Sequence, residues 1–335
     1  MTFVIEPVDP MALDLGTADQ IAEVDRASLN AAGLALPAPT GPTRLTTMQL
    51  GSDCRPVAGL WLAREAGRVI GYAVLELPWR NNNRTGYLGG VVHPQNRRRG
   101  TGRALYDAAA SRAVAAGRSQ LLSGAFAGSD GVGGLTGLGF SSAGMSTNAV
   151  RRLDLHGTPA DRWETADAEA RGHADGYELL HLVGPAPDDL VADLVALHAA
   201  INDAPPDAPG LEEDAWDEAR VRDYDRAMAG RRQTVYRVMA RHRTSGAWAG
   251  LSLLCIDEFR PDIAFQEDTS VVRAHRGHRL GLLMKTDMLQ WLMRERPEVS
   301  ATDTWNSTRN HHMIAVNERL GATVIAHHVT FRRQL

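Results

Sequence analysis

The amino-acid sequence predicts an α/β (α+β) protein made of two domains of the same kind, each with a mixed, mostly antiparallel sheet flanked by helices. Three observations support this prediction. First, 335 residues suit two domains of ordinary size better than one. Second, apolar runs of strand length alternate with segments of helical period in both halves. Third, a segment that begins at Val91 is matched, feature by feature, by a segment that begins at Val271.

The internal repeat defines the expected domain organisation. Its first copy reads VVHPQNRRRGTGRALYDAAASRAVAAG and its second reads VVRAHRGHRLGLLMKTDMLQWLMRERP. Aligning Arg97 with Arg276 separates the copies by 276 − 97 = 179 residues, slightly over half the chain. We therefore expect an N-terminal domain over residues 1–155 and a C-terminal domain over residues 177–335. The segment 156–176 is rich in Asp, Ala and Gly and poor in apolar residues, so we interpret it as the linker.

The elements of the first half follow from the hydrophobic period and from turn residues. Ala66–Gly67 joins two apolar runs and is typical of a hairpin. In order, the sequence predicts a strand at FVIEPVD, helices over 19–32 and 43–50, strands at PVAGLWLAREAG, RVIGYAVLELP and GYLGGVVHP, a helix from Gly100 to about Ala116, a strand at QLLSGAFAG and a strand over 143–155.

The second half repeats this order. In sequence, the predicted elements are a strand at YELLHLVG, helices over 188–201 and 211–229, strands at QTVYRVMARH, WAGLSLLCID and AFQEDTSVV, a helix over 280–294, a strand at VSATDTWN, a helix over 310–320 and a strand at ATVIAHHVTFRRQL. The repeated order agrees with a duplicated domain.

Composition excludes several classes of protein. The formal net charge is −4, which disfavours a broad surface for nucleic acid. Cys54 and Cys255 lie in different halves and outside any CxxC or Cys/His cluster, so we expect free thiols and no metal site. We find no signal peptide and no apolar run of membrane-spanning length, and we expect a cytoplasmic protein. Lys285 is the only lysine, and we treat the preference for arginine as a trait of composition.

The stretch VHPQNRRRGTGRAL is the most informative part of the sequence. A strand that ends in a turn at the start of a helix exposes backbone N–H groups without partners, and the helix dipole adds partial positive charge. Gly100 and Gly102 allow a close approach to the backbone, and the neighbouring arginines add positive charge. The stretch is therefore suited to a pyrophosphate.

Other interpretations of this stretch are weaker. A Rossmann motif is incomplete because Leu105 holds the place of its third glycine, and the absence of GK[ST] excludes a P-loop. A solvated basic turn and a local contact to nucleic acid remain open from the residues alone.

The same stretch resembles the acetyl-CoA binding motif of the Gcn5-related N-acetyltransferases (GNAT). The second half resembles this motif in HRGHRLG, and it resembles the family's last motif, an Asn before a helix that ends in Leu-Gly, in its tail. The tandem arrangement is similar to actinobacterial double-domain acetyltransferases of the mycothiol synthase type. The matching residues are Val92, Pro94, Arg97, Gly100 and Gly102, then Arg276 and Gly281, then Asn310, Leu320 and Gly321.

The resemblance implies that acetyl-CoA is the cofactor. It implies contacts to the cofactor from two sets of residues. These are Val91, Val92, Arg97, Arg98, Arg99, Gly100, Thr101, Gly102 and Arg103 in the first half, and Val271, Val272, Arg276, Gly277, Arg279, Gly281 and Asn310 in the second half.

Three positions depart from the family's pattern. Arg279 stands where the family has its first glycine, so its side chain either obstructs the pyrophosphate or pairs with a phosphate. Leu135 and Asn317 stand where family members often have the Tyr that protonates the leaving thiolate. We expect the two halves to differ in role.

The implied reaction is direct attack of an amine on the thioester, polarised by a backbone N–H at the strand end. A carboxylate has to accept the proton of the amine. The candidates are Glu267 and Asp268 in the second half and Glu76 in the first, with Asp257 and Glu258 as further strand-end carboxylates.

The leading hypothesis for function is N-acetylation of a small-molecule amine by a monomer or homodimer. One alternative is a catalytically silent CoA-binding sensor or scaffold, and another is a protein or peptide acetyltransferase.

Overall fold

A computed structural model describes residues 3–203 and 210–335. The chain divides into two compact units that do not follow the two halves of the sequence. The first unit contains the residues up to Asn148, the short segment 210–213 and the C-terminal segment Ile325–Leu335. The second unit contains the other described residues between Ala149 and Val324. The strand at the end of the chain therefore belongs mainly to the first unit.

The first unit is an α/β layer structure whose elements agree with the predicted order. A side chain caps each of its first two helices, Asp14 for α1 and Thr40 for α2. Its elements are β1 (Val4–Val8), α1 (Leu15–Ala31), α2 (Gly41–Leu50), β2 (Gly59–Glu65), β3 (Arg68–Glu76), β4 (Thr85–Val92), α3 (Thr101–Ala115), β5 (Gln120–Phe126), α4 (Asp130–Gly137) and most of the last strand, β12 (Thr323–Gln334).

The sheet of the first unit has the strand order β1-β2-β3-β4-β5-β12. Only β4 and β5 are parallel neighbours, and the other pairs are antiparallel. Apolar clusters cover both faces, one with α3 and one with α1 and α2. Helix α4 forms in spite of its glycines because Val132 and Leu135 pack on the cluster that contains α3.

The second unit repeats this architecture. Its sheet has the order β6-β11-β10-β9-β8-β7, in which β10 and β11 are parallel. Its elements are β6 (Thr147–Asp154), α5 (Ala160–Arg171), β7 (Tyr177–Val183), α6 (Val191–Ala199), α7 (Glu218–Gly230), β8 (Gln233–His242), β9 (Trp248–Asp257), β10 (Ile263–Val271), α8 (Leu280–Glu295), β11 (Ala301–Ser307) and α9 (His311–Leu320). The predicted fold class, two α/β units with mixed sheets, is confirmed.

The segment expected to be a linker differs most from its prediction. Most of it is helix α5, which buries Trp163, Ala166 and Ala170 in the cluster that also contains much of α8. The indole N–H of Trp163 donates to the carbonyl of Leu320 at 3.0 Å. Three apolar residues at helical spacing are enough to dock a helix whose composition is otherwise that of a linker.

Two further helices differ at their ends. Asp188–Leu190 forms a 3₁₀ turn, so α6 begins only at Val191. Helix α7 begins at Glu218 rather than at Leu211, because Asp217 accepts from the N–H of Arg220 and caps it there. Part of the loop between these helices lies outside the described residues.

We predict that Phe331→Ala in β12 destabilises the first unit by about 3–5 kcal/mol, because it removes a buried aromatic ring from that unit's core. Urea unfolding combined with amide hydrogen exchange measures this loss. Amides of β5, the partner strand of β12, should lose the most protection. The control Val324→Ala changes an exposed residue of the same strand and should stay within about 0.5 kcal/mol. Loss of protection confined to β10 and β11 would contradict the division into units.

Candidate active site

A cleft opens in each unit where two parallel strands separate. The register of β4 with β5 covers Thr85 to Tyr87 only, although β4 continues to Val92. The register of β10 with β11 covers Ile263 to Gln266, and β10 continues to Val271. In both units the longer strand leaves its neighbour and leads into an arginine-rich loop.

The ends of β4 and β10 present a backbone donor to these clefts. The N–H of His93 donates to Ile70 at 2.8 Å and that of Val272 donates to Ala249 at 2.9 Å. Because hydrogen-bonded and non-bonded pairs alternate in antiparallel sheets, Val92 and Val271 hold the non-bonded positions. Their N–H groups therefore point away from β3 and β9, toward the cleft.

The carbonyls of the same two residues anchor the first arginine of each loop. Arg97 Nε donates to the Val92 carbonyl at 3.1 Å, and Arg276 Nε donates to the Val271 carbonyl at 3.2 Å. The structurally equivalent residues are thus Val92 and Val271. Val272 corresponds to His93. The pair Val271–Val272 is therefore shifted by one residue along the strand relative to the pair Val91–Val92.

The two loops have the same backbone conformation, with glycine and arginine exchanged. Left-handed φ angles occur at Arg98 (61°) and Gly100 (84°) in the first loop. They occur at the equivalent Gly277 (89°) and Arg279 (53°) in the second loop. Arg279 therefore keeps the conformation that a glycine would adopt at this position.

Both loops end at a helix that no side chain caps. Gly100 precedes α3 and Arg279 precedes α8, and neither helix has a side-chain hydrogen bond at its cap. A Cβ added at Gly100 or Gly277 would meet no atom of residues 3–203 and 210–335 within 4 Å, so the described chain leaves the space beside the backbone open. Added at Gly102 or Gly281, it would first meet a methyl group at 3.8 or 3.9 Å. Open space beside an uncapped helix terminus fits a pyrophosphate in both units.

Acidic partners hold the arginines of the first loop. Arg97 contacts Asp130 at 2.8 Å. Arg99 contacts Glu65 at 2.5 Å, and this hydrogen bond lowers the pKa of the Glu65 carboxyl. Arg103 donates to the carbonyl of Gly137 at 2.8 Å.

The remaining predicted residues of the first loop have different settings. Arg98 is exposed and has neither an ion pair nor a hydrogen-bond partner among residues 3–203 and 210–335. Thr101 is buried at the start of α3, and Val91 packs on the face that carries α1 and α2. Val91 therefore faces away from the loop's helix.

In the second loop, Arg279 is directed away from the open space. Its guanidinium pairs with Glu169 of α5, which also pairs with Arg319. Asp203 pairs with Arg276 and, at 2.8 Å, with Arg273, and the hydrogen bond from Arg273 lowers the pKa of Asp203. The side chain of Arg279 therefore does not obstruct this loop.

A carboxylate lies beside the cleft of the second unit. The β9–β10 register shifts between Gln266 and Thr269, so Glu267 and Asp268 lie in a β-bulge. The hydroxyl of Tyr224 on α7 donates to Glu267 Oε2 at 2.7 Å and lies 3.7 Å from Cys255 Sγ. Burial raises the pKa of Tyr224 well above its ordinary value, so this hydroxyl stays protonated and orients Glu267. Asp268 is half-buried in the same bulge.

In the first unit, Glu76 lies at about the same distance along the sheet from the strand separation as Glu267 does in the second unit. It is exposed and lies opposite Tyr87, at the point where β4 stops pairing with β5. Alternation along β3 puts its side chain on the same face as Tyr72 and Val74, the face covered by α1.

Asn310 and the two residues at the family's tyrosine position have structural contacts. Asn310 caps α9, accepting from the N–H of Met313 at 3.2 Å. Leu135 packs in the core of the first unit. Asn317 is buried and donates to Asn306 Oδ1 at 2.6 Å.

Three polar residues of the second unit had no sequence motif to reveal them. Tyr224 and His198 become neighbours only when α7 and α6 pack together, with 6.1 Å between their rings. Lys285 is the one charged residue in the apolar run LGLLMK at the start of α8, and this interruption is the signal that could have found it.

The chain is similar to known proteins in sequence and in fold. Residues 33–124 match the model of the acetyltransferase (GNAT) family. A tandem GNAT protein from the clavulanic acid biosynthesis pathway is 26% identical, with a TM-score of 0.80 over 99% of this chain and 98% of its own. The chain therefore contains a GNAT domain, and its architecture is that of a tandem GNAT protein. The family of the matched segment transfers acetyl groups, with acetyl-CoA as the donor.

Other solved structures agree in fold. A GNAT protein from Sphaerobacter thermophilus is 17% identical, with a TM-score of 0.69 over 99% of this chain and 95% of its own. An acetyltransferase from Pyrococcus horikoshii, described as putative, is 11% identical, with a TM-score of 0.58 over 99% of this chain and 89% of its own. No curated protein matches this chain in sequence.

Two kinds of feature are absent from the part of the chain that the structure describes. Within 3–203 and 210–335, no helix has the length and apolarity needed to span a membrane. The same ranges contain no group of three or more His, Cys, Asp or Glu placed to hold a metal ion.

We predict that His198 makes stability depend on pH. Its ring stacks on Trp216 at 4.0 Å, and burial lowers its pKa to about 3. The folded state keeps His198 neutral while the unfolded chain binds a proton below about pH 6.5, so stability falls as the pH drops from there toward 3. His198→Phe should remove a slope of about 1.4 kcal/mol per pH unit from urea-unfolding free energies between pH 6 and 4. The exposed His327→Gln is the control, and parallel curves for wild type and His198→Phe would refute the prediction.

Proposed function

We propose that this tandem GNAT protein is an N-acetyltransferase that moves the acetyl group of acetyl-CoA directly to the amine of a small molecule. One observation carries the proposal. In the second unit, a cleft between parting parallel strands has an oriented carboxylate, Glu267, on one face and leads to an uncapped helix N-terminus at α8.

Both loops fit the cofactor, and we propose that each unit binds one molecule. Backbone N–H groups at the start of α3 and α8 would hold the pyrophosphate, with Arg97 and Arg276 beside them. When bound, acetyl-CoA supplies an acetyl group activated as a thioester. The N–H groups of Val92 and Val271 would hold its chain in the clefts.

The acid–base chemistry is proposed for the second unit. Glu267 would accept the proton of the attacking amine at its carboxylate, which Tyr224 holds in place. A backbone N–H of β10 would stabilise the oxyanion. Cys255 takes no covalent part, because burial raises its pKa well above the ordinary value and keeps the thiol protonated.

The first unit is the weaker candidate for turnover. At the 179-residue offset, Leu88 and Gly89 stand in place of Glu267 and Asp268 (267 − 179 = 88). The remaining carboxylate, Glu76, is exposed on the neighbouring strand. Binding without turnover, the sensor role, therefore has its support in this unit.

The class of acceptor has two lines of support. The net charge of −4 is compatible with cationic amines. The similar protein from the clavulanic acid pathway belongs to the formation of a small molecule. We further propose action in the cytoplasm as a monomer or homodimer.

We predict that calorimetry finds two equivalents of acetyl-CoA per chain. Gly100→Glu and Gly281→Glu should each remove one equivalent, because a carboxylate at the loop repels the pyrophosphate. Gly117→Glu, which adds a carboxylate in open space at the other end of α3, should keep both. If neither loop variant changes the stoichiometry, the loops are structural turns. If no heat is detected with the unchanged protein, acetyl-CoA binding itself is refuted.

We predict that Glu267→Gln lowers kcat/KM by about 100-fold, because the amide cannot accept the proton of the amine. Release of the CoA thiol is followed with acetyl-CoA and a panel of small primary amines. The matched control is Glu76→Gln, which should retain activity within about 3-fold. The reverse result would move the chemistry to the first unit. Binding of acetyl-CoA without turnover of any small amine, together with turnover of peptide amines, would favour a peptide acetyltransferase.

A further inference from the structure

The only lysine of the chain is buried inside the second unit. Lys285 lies on α8 and is 5% exposed. No hydrogen bond or ion pair reaches its ammonium from residues 3–203 and 210–335. A cation buried without a partner is costly, so such a group calls for an explanation.

The buried ammonium of Lys285 is explained by a small cavity beside it. Lys285 lines a small, partly open cavity of about 20 Å³, which has room for about one water molecule. Polar residues share the wall of this cavity, and all of them are buried: Gln266, Thr302, Thr304 and Asn317. The cavity is therefore a built polar site within an otherwise apolar core.

The cavity lies directly under the point where the cleft opens. Gln266 and Thr304 are the last registered pair of β10 and β11, and both line the cavity. The next residue of β10, Glu267, faces α7 on the opposite side of the sheet. Lys285 and Glu267 thus flank one cleft from its two faces.

Asn317, which lines this cavity, stands at the position of the acid that many family members use. It stands four residues before Gly321, where family members often carry the tyrosine that protonates the leaving thiolate. An amide cannot supply that proton. Lys285 shares the cavity with Asn317 and carries a proton that can be given up.

The charged groups of the surrounding elements are engaged elsewhere. Burial alone lowers the pKa of Lys285, to about 7, and no charged group contributes. The carboxylates and their partners are Asp303 of β11 with Arg152, Asp287 of α8 with Arg171 and His181, Glu169 of α5 with Arg279 and Arg319, Glu318 of α9 with Arg151, and Glu267 of β10 with Tyr224.

We propose that Lys285 is the acid that protonates the CoA sulfur as it departs in the second unit. The inference rests on the proposed function of this unit. As the amine nitrogen bonds to the acetyl carbon, the carbon–sulfur bond breaks and sulfur takes the electron pair. The Lys285 ammonium gives sulfur a proton, and Glu267 accepts the proton of the amine. Exchange with solvent returns Lys285 to the ammonium and Glu267 to the carboxylate.

A single-lysine chain allows a direct test by NMR. Protein grown with ¹³C-labelled lysine gives one Cε signal, and Lys285→Met identifies it by its loss. The signal is titrated with pH in the protein alone, with CoA, and with desulfo-CoA, which lacks the sulfur. CoA should raise the pKa of Lys285 by about 1, because a thiolate beside the ammonium favours its charged form. Desulfo-CoA should leave the pKa unchanged.

The outcomes separate this inference from the proposed function. Calorimetry first establishes whether CoA and desulfo-CoA bind the second unit, using the Gly100→Glu variant. If neither binds, the proposed function of this unit fails. If both bind and shift the pKa of Lys285 equally, or not at all, Lys285 does not meet the sulfur and the inference is overturned.

Kinetics provide a second readout. Lys285→Met should lower kcat by about 100-fold and leave the affinity for acetyl-CoA within about 3-fold. It should also remove the loss of activity that wild type shows as the pH rises through the pKa of Lys285. Tyr106→Phe is the matched control, since Tyr106 holds the same position on α3 (285 − 179 = 106), and it should leave the pH profile unchanged. An unaltered profile for Lys285→Met would overturn the inference.

Discussion

The separation of two parallel strands is the constraint on which both sites depend. In a parallel pair each strand satisfies the other's backbone, so every residue beyond the last bond leaves polar groups that need a new partner. In this protein the pairing lasts for three registered positions between β4 and β5 and for four between β10 and β11. Beyond these positions the backbone groups of Val92 and Val271 face a cleft. Their carbonyls accept hydrogen bonds from Arg97 and Arg276, and their N–H groups point into the cleft.

Glycine and arginine are exchanged between the two loops, yet both loops have the same backbone conformation. A left-handed residue with a side chain costs roughly 1–2 kcal/mol. Arg98 accepts this cost in the first loop and Arg279 in the second, while Gly100 and Gly277 avoid it at the other position. The pairing of Arg279 with Glu169 supplies a compensating contact that a glycine would not make.

The sequence predicted the elements and the loops well because both depend on local signals. Period, turn residues and the spacing of Arg97, Gly100 and Gly102 are all read within a few residues. Helix α5 was missed because three apolar residues, among them Trp163, were masked by acidic and small neighbours. The place of β12 could not be predicted, since pairing with β5 is a contact between residues about 200 positions apart.

The chemical groups of the site also divide into those that local sequence signals reveal and those that only packing brings together. Glu267 could be named as a candidate base from the sequence because it stands close before the loop. Tyr224, which orients it, comes from another helix and is brought there only by packing. The sequence showed Lys285 as a single charge in an apolar run. It gave no indication of a role, because the cavity that Lys285 lines is formed only by the folded chain.

The position of β12 has a consequence for synthesis on the ribosome. The first unit begins to emerge first, yet one of its six strands follows the second unit in the chain. At roughly 5–20 residues per second, the intervening residues take on the order of 10–40 seconds to make. During that interval the edge of β5 that β12 will occupy stays open to other strands. The unit that is translated first is therefore completed last, and the nascent chain has to protect an unpaired strand edge while its second unit is made.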